Sequence, residues 1–136
     1  MSFKPTFLLI EDNLIDQLVI KQLLKKVLSI DEAMVNIANN GLEGLQWLNK
    51  NKETCKSLVI ILDIQMPYMN GFAFLNAFDE LDNILKEDTQ IYVVSSTLDP
   101  DEILKIEDNK YVTKLLNKPF PIEEFKKILY GNTIIS

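Results

Sequence analysis

Leu58-Val59-Ile60-Ile61-Leu62 is an unbroken apolar run, and it leads directly into Asp63-Ile64-Gln65-Met66-Pro67. A short apolar run bounded by turn residues, with helical patterns on either side, reads as a strand buried on both faces. Three other stretches have the same build. Phe7-Leu8-Leu9-Ile10 ends at Glu11-Asp12, Ile91-Tyr92-Val93-Val94 ends at Ser95-Ser96, and the stretch from Val112 to Asn117 ends at Lys118-Pro119. In an open parallel sheet, ligands bind in the crevice at the carboxyl ends of the strands. If the four runs are parallel, three carboxylates, a hydroxyl and an ammonium meet in one pocket.

Helical patterns fill the intervals. The first strand, near Thr6–Ile10, is followed by a helix near Asn13–Leu28, capped by Asn13 or Asp12. Its apolar positions Ile15, Leu18, Val19, Leu23, Leu24 and Val27 step by three and four and predict the core-facing stripe. A second strand near Met34–Ala38 turns at Asn39-Asn40-Gly41 into a helix carrying Leu42, Leu45 and Leu48. A third helix, from about Gly71, carries Phe72, Phe74, Leu75 and Phe78, and Asp99-Pro100 opens a fourth. The fifth strand lies near Tyr111–Leu116, and the last helix takes Ile122 to about Tyr130. Five strand–helix pairs predict right-handed βαβ crossovers, hence an α/β, doubly wound, five-stranded parallel sheet. The expectation is a single domain over residues 1–136 with no output domain.

Composition excludes several functions. The balance of 14 basic against 20 acidic residues gives −6, and no basic stripe is present to displace counterions from DNA or RNA. Met1 to Pro5 precedes only a four-residue apolar run, far short of a signal-peptide core or a membrane span. The single cysteine, Cys55, sits in a polar loop; a free thiol fits a reducing cytoplasm. The chain has no histidine, which excludes His-based triads, His-containing metal sites and service as a His-phosphotransfer protein.

Glu11, Asp12 and Asp63 carry the chemistry. Like charges in one crevice repel by roughly 4 kcal/mol per pair at about 4 Å and an effective dielectric near 20. Either their pKa values rise or a cation sits among them. Mg²⁺ suits such a set, taking one or two carboxylates while leaving positions for phosphate oxygens. Asp63, at the tip of the central strand, is the carboxylate best placed to attack phosphorus. Phosphoryl transfer needs charge stabilisation on the equatorial oxygens more than acid–base groups. Mg²⁺, Lys118 and Ser95 are candidates for one oxygen each. Taken singly, each residue also has a structural explanation: an acidic helix start, a turn-forming aspartate, a strand-end hydroxyl, a solvated lysine. Their coincidence at one end of one sheet favours function.

The acidic pair Glu11-Asp12, the run Asp63-x-x-Met66-Pro67-x-x-x-Gly71, Ser95 and Lys118-Pro119 together resemble the receiver domain of two-component response regulators. A weaker match is Asn40-Gly41-x-Glu43-Gly44-Leu45, and the resemblance runs from about Lys4 to Leu129. It implies a flavodoxin-like fold with strand order 2-1-3-4-5. It implies that Asp63 is the phosphorylation site, and that Asp12, Asp63 and the backbone carbonyl of Gln65 bind Mg²⁺, with Glu11 acting mostly through water. It assigns Lys118 to the phosphoryl group and Ser95 to its active-state hydrogen bond, and leads us to expect a cis Lys118–Pro119 peptide. The implied donor is a sensor histidine kinase or a His-phosphotransfer protein. The implied output is contact with a downstream protein, from a cytoplasmic monomer or weak phosphorylation-dependent dimer that is not a turnover enzyme.

Leu115 stands where the family often has Tyr or Phe, three residues before the lysine. A signal leaving through the fourth helix, fifth strand and fifth helix would therefore do so without an aromatic rotamer switch. A haloacid-dehalogenase-type phosphatase would carry a second Asp where Gln65 stands. A flavodoxin-like carrier would place FMN phosphate against Glu11-Asp12, which repel it. The alternative that survives is a constitutive docking pseudo-receiver not regulated by phosphorylation.

Overall fold

The computed structural model describes residues 5–54, 57–66 and 69–134. Cys55, Pro67 and Lys4 of the sequence reading lie outside them. Strands β1 (Thr6–Ile10), β2 (Val35–Ala38), β3 (Leu58–Asp63), β4 (Thr89–Ser95) and β5 (Val112–Asn117) form one sheet in the order β2-β1-β3-β4-β5, and every adjacent pair is parallel. The α/β, doubly wound architecture and its strand order are those expected from the sequence.

Among the described residues six α-helices connect and cover the strands: α1 (Leu14–Leu28), α2 (Gly41–Asn51), α3 (Gly71–Phe78), α4 (Asn83–Glu87), α5 (Pro100–Glu107) and α6 (Ile122–Ile134). None of the described helices is long and apolar enough to cross a membrane. Side chains alternate across a strand, so the sheet divides the interior in two. Leu8, Ile10, Ile60, Leu62, Ile91 and Val93 pack with Leu48, Phe74, Phe78, Leu85 and Ile106, beneath α2 to α5. Phe7, Leu9, Val59, Ile61, Tyr92 and Val94 pack with Ile20, Leu24, Phe125 and Leu129, beneath α1 and α6. All six residues of β3 are buried, which is why its sequence reads as a continuous apolar run.

Two sequence expectations need correction. On α1 the buried residues are Gln17, Ile20, Leu24 and Leu28; Ile15 and Leu18 of the expected stripe are 72% and 58% exposed. The helix is rotated so that its first two turns show apolar residues to solvent and bury an amide. Leu42, one of the three leucines that marked the second helix, is also exposed. The second correction concerns the polar stretch after α3. It holds a short extra helix, α4, anchored by the single buried residue Leu85, and β4 begins at Thr89 rather than Ile91.

Register brings the chemistry to one rim. Ile10 lies beside Leu62, Asp63 beside Val94, and Ser95 beside Asn117. The residues that follow β1 and β5, and those that end β3 and β4, therefore leave the sheet at about the same height.

Candidate functional site

The β1–α1 turn is built by Asn13, whose side chain caps α1 by accepting from the Asp16 N–H at 2.9 Å. The Asn13 N–H in turn donates to Glu11 Oε2 at 3.1 Å, holding that carboxylate inward. Gln17, the buried amide of α1, donates from Nε2 to the Glu11 carbonyl at 2.5 Å and to Asn39 Oδ1 at 2.9 Å. Asn39 is held by Glu43, whose Oε1 accepts from its N–H and its Nδ2 at 2.9 and 3.0 Å. The Gly41 N–H then donates to the Met69 carbonyl at 3.0 Å. A Cβ at Gly41 would lie 2.7 Å from that oxygen, so this contact requires glycine. Three loops at the rim are thereby joined into one hydrogen-bonded frame.

Within the frame, Glu11, Asp12 and Asp63 each offer a carboxylate oxygen within 4.8 Å of the others. Glu11 and Asp63 are buried and Asp12 is exposed. Lys118 reaches in from the end of β5, its Nζ 3.3 Å from Asp63 Oδ1, 3.7 Å from Glu11 Oε1 and 3.8 Å from Asp16 Oδ2. The Lys118–Pro119 peptide is cis. Ser95 is buried, and its Oγ accepts from the Thr97 N–H at 3.0 Å. The Gln65 N–H donates to Asp63 Oδ1 at 3.3 Å. All six residues singled out in the sequence line one cavity of about 180 Å³. Asp16 lines it as well. The sequence reading passed over Asp16 because it sits within a helix rather than at a strand end. The available signal was its place in the first turn of the helix that follows the acidic pair.

Burial pushes the Glu11 carboxyl up from its ordinary 4.5 to about 7; the Asn13 N–H opposes the rise and the charge of Asp63 adds to it. For Lys118, burial works against the charge, but Asp63, Glu11 and Asp16 outweigh it and hold the ammonium above its ordinary range. One ammonium thus faces a cluster of carboxylates, and the most buried of them, Glu11, is driven toward neutrality chiefly by its burial, with the Asp63 charge adding to it. A hard divalent cation with oxygen ligands fits this donor set.

The carboxylate at the centre of the pocket has no slack in its backbone. A Cβ on Gly71 would come within 2.8 Å of Ile64 Cα and 2.9 Å of the Asp63 carbonyl, and the Gly71 N–H donates to the Ile64 carbonyl at 2.9 Å. The start of α3 therefore rests directly on the segment that presents Asp63. Leu115 is half-buried and packs against the core beneath α2 to α5. Tyr111 precedes β5, at the opposite end of the strand from Lys118; its hydroxyl donates to Asp79 Oδ1 and its ring meets Phe78 edge-on. It takes no part in the pocket.

Residues 7–130 match the family described as response regulator receiver domain. The chain is 28% identical over 129 residues to an Arabidopsis thaliana protein named two-component response regulator ARR17, covering 89% of this chain and 80% of that one. Its fold superimposes on a response regulator receiver protein from Dyadobacter fermentans with a TM-score of 0.79 at 28% identity, over 92% and 94% of the two chains. A two component response regulator from Cytophaga hutchinsonii gives a TM-score of 0.84 over 99% and 100% of the chains. At 22% identity that likeness speaks to fold alone.

Proposed function

Since the chain belongs to the response regulator receiver domain family of two-component systems, we propose that it is a phosphorylation-gated signalling module that accepts a phosphoryl group on Asp63. The observation carrying this reading is the Asp63 carboxylate itself: buried at a strand end, 3.3 Å from Lys118, and clustered with Glu11 and Asp12. A carboxylate oxygen of Asp63 attacks phosphorus, a P–O bond forms, and the donor's P–N bond breaks, leaving the electron pair on an imidazole nitrogen that takes up a proton. Lys118 meets the negative charge on one phosphoryl oxygen, and the Ser95 hydroxyl turns from the Thr97 N–H to another. Glu11, Asp12, Asp63 and the Gln65 carbonyl would hold Mg²⁺, which supplies charge neutralisation for phosphoryl transfer. The frame through Gln17, Asn39 and Glu43 keeps the acidic turn in place while this happens.

The chain has no histidine, so the donor is a phosphohistidine on another protein, a sensor histidine kinase or a His-phosphotransfer protein. Its landing place must adjoin Asp63. An apolar groove of about 400 Å³, lined by Val19, Ile20, Val94 and Phe120, shares Glu11, Asp16 and Lys118 with the acidic cavity. The exposed Ile15, Leu18 and Val19 continue it along α1. We place the donor there and the output on α5, β5 and α6, reached when Ser95 draws the Ser96 to Pro100 loop inward. Output is by protein contact, in the cytoplasm, and the phosphoryl group is lost by slow self-hydrolysis rather than turnover.

Incubation with acetyl phosphate and Mg²⁺ followed by intact-mass measurement tests the reading. One phosphoryl group should be added to the wild type and none to Asp63→Asn. Equal labelling of the variant, with the acyl phosphate mapped to another residue, would sink it; no labelling of the wild type would favour the constitutive docking module.

A further inference from the structure

Asp16 is a pocket carboxylate to which the proposed chemistry gives no role. Its position in the first turn of α1 suits the helix dipole, and that alone would account for an acid there. Two observations go further. Its Oδ2 lies 3.8 Å from Lys118 Nζ, and among the described residues it is the one carboxylate from a helix that pairs with that ammonium, Glu11 and Asp63 coming from the ends of β1 and β3. Asp16, Glu11 and Lys118 are also the residues common to the acidic cavity and the apolar groove. The Asp16–Lys118 pair therefore stands at the boundary between them.

We propose that Asp16 is a positioning residue that holds Lys118 at this boundary and competes for its ammonium with the phosphoryl oxygens on Asp63. The inference rests on the receiver chemistry above. In the resting protein Lys118 is shared among three carboxylates: Asp63 at 3.3 Å, Glu11 at 3.7 Å and Asp16 at 3.8 Å. A phosphoryl group on Asp63 adds negative charge at that carboxylate alone and draws the ammonium from Asp16. Asp16 thus opposes the phosphorylated arrangement. Before phosphorylation it does the reverse for a cation, because it draws Lys118 away from the metal-binding carboxylates and adds its own negative charge nearby.

These effects have opposite signs, which makes them separable from a structural role. Asp16→Asn should weaken Mg²⁺ binding, measured by calorimetry on the unphosphorylated protein, by about two- to fivefold, the range of a part-exposed ion pair. The same variant should bind beryllofluoride at saturating Mg²⁺ more tightly by a similar factor, followed by ¹⁹F NMR. Asp16→Glu should return both affinities toward wild type. In a Lys118→Ala background the gain in beryllofluoride affinity from Asp16→Asn should shrink, because its route through the lysine has gone. A loss of melting temperature with both affinities unchanged would reduce Asp16 to a helix-start acid and overturn the proposal, as would weaker beryllofluoride binding or an undiminished gain without Lys118. Failure of the wild type to bind beryllofluoride would be a different result, overturning the receiver chemistry itself and this inference with it.

Discussion

Glu11→Gln should stabilise the metal-free protein, and by an amount that depends on pH. Glu11 is 2% exposed and its carboxyl is pushed up to about 7. A carboxyl whose folded pKa is raised binds more protons folded than unfolded, so stability is fully present below the unfolded value and lost as pH rises through the folded one. Raising it from 4.5 to about 7 corresponds to ~3 kcal/mol when the group is fully ionised. The linkage relation puts the loss at roughly 1 kcal/mol at pH 5 and about 3 kcal/mol at pH 8. Glutamine keeps an acceptor for the Asn13 N–H, and the 3.7 Å pairing with Lys118 that it gives up is already counted in the raised value. The net expectation is a variant more stable than wild type by about 3 kcal/mol at pH 8 and by roughly 1 kcal/mol at pH 5. Urea unfolding of both proteins across this range, in chelator, measures the difference directly. A difference that is flat with pH, or that favours the wild type at pH 8, would show that Glu11 is not held in the strained charged state described here. Saturating Mg²⁺ should narrow or reverse the difference, since the variant lacks one of the carboxylates proposed to hold the ion.

Other perturbations have outcomes as definite. Lys118→Ala should bind Mg²⁺ several-fold more tightly, because a unit charge about 4 Å from the carboxylates is worth ~1–4 kcal/mol between bulk water and an effective dielectric of 20; weaker binding by calorimetry would contradict the shared-ammonium picture. Gly71→Ala should cost about 1–3 kcal/mol in urea unfolding, since the atoms its Cβ meets are the Ile64 Cα and Asp63 carbonyl and backbone has little room to give. Amide exchange with and without beryllofluoride should change in residues 96–116 as well as in the pocket; changes confined to the pocket would remove the proposed route to α5 and β5.

The site was legible because its residues follow apolar runs. A strand buried on both faces cannot hide its end, and Leu58 to Leu62 announces Asp63 from composition alone. The alternation of strands with helical spacing then gives the sheet, and the parallel sheet brings the four ends together. What the sequence left obscure has a common physical cause. Periodicity identifies apolar positions on a helix but not which of them meet the sheet. On α1, Ile15, Leu18 and Val19 fit a helical stripe and are exposed, while Gln17 is buried because the Glu11 carbonyl and Asn39 satisfy its amide. The α4 helix escaped for want of length and signal: it has five residues, and Asp82 makes no capping hydrogen bond. Asp16 drew no notice in the sequence because its partner, Lys118, is brought beside it only by the end of β5.

The sheet that splits the core also sorts the pocket by parity. Counting along the strands from the two packed layers, Glu11, Asp63 and Lys118 fall in step with Leu9, Ile61 and Leu116, on the α1 and α6 side. Ser95 falls in step with Ile91 and Val93, on the α2 to α5 side, and Leu115 shares that side. On the proposed receiver chemistry, bond making and charge neutralisation would belong to one layer, and the hydroxyl that reads the result to the other. Substitutions beneath α1 and α6 should then sort into a class that alters how fast the mark is written and erased, and those beneath α5 into a class that alters how it is read. The two classes should combine multiplicatively, with Ser95 the position where that independence breaks down.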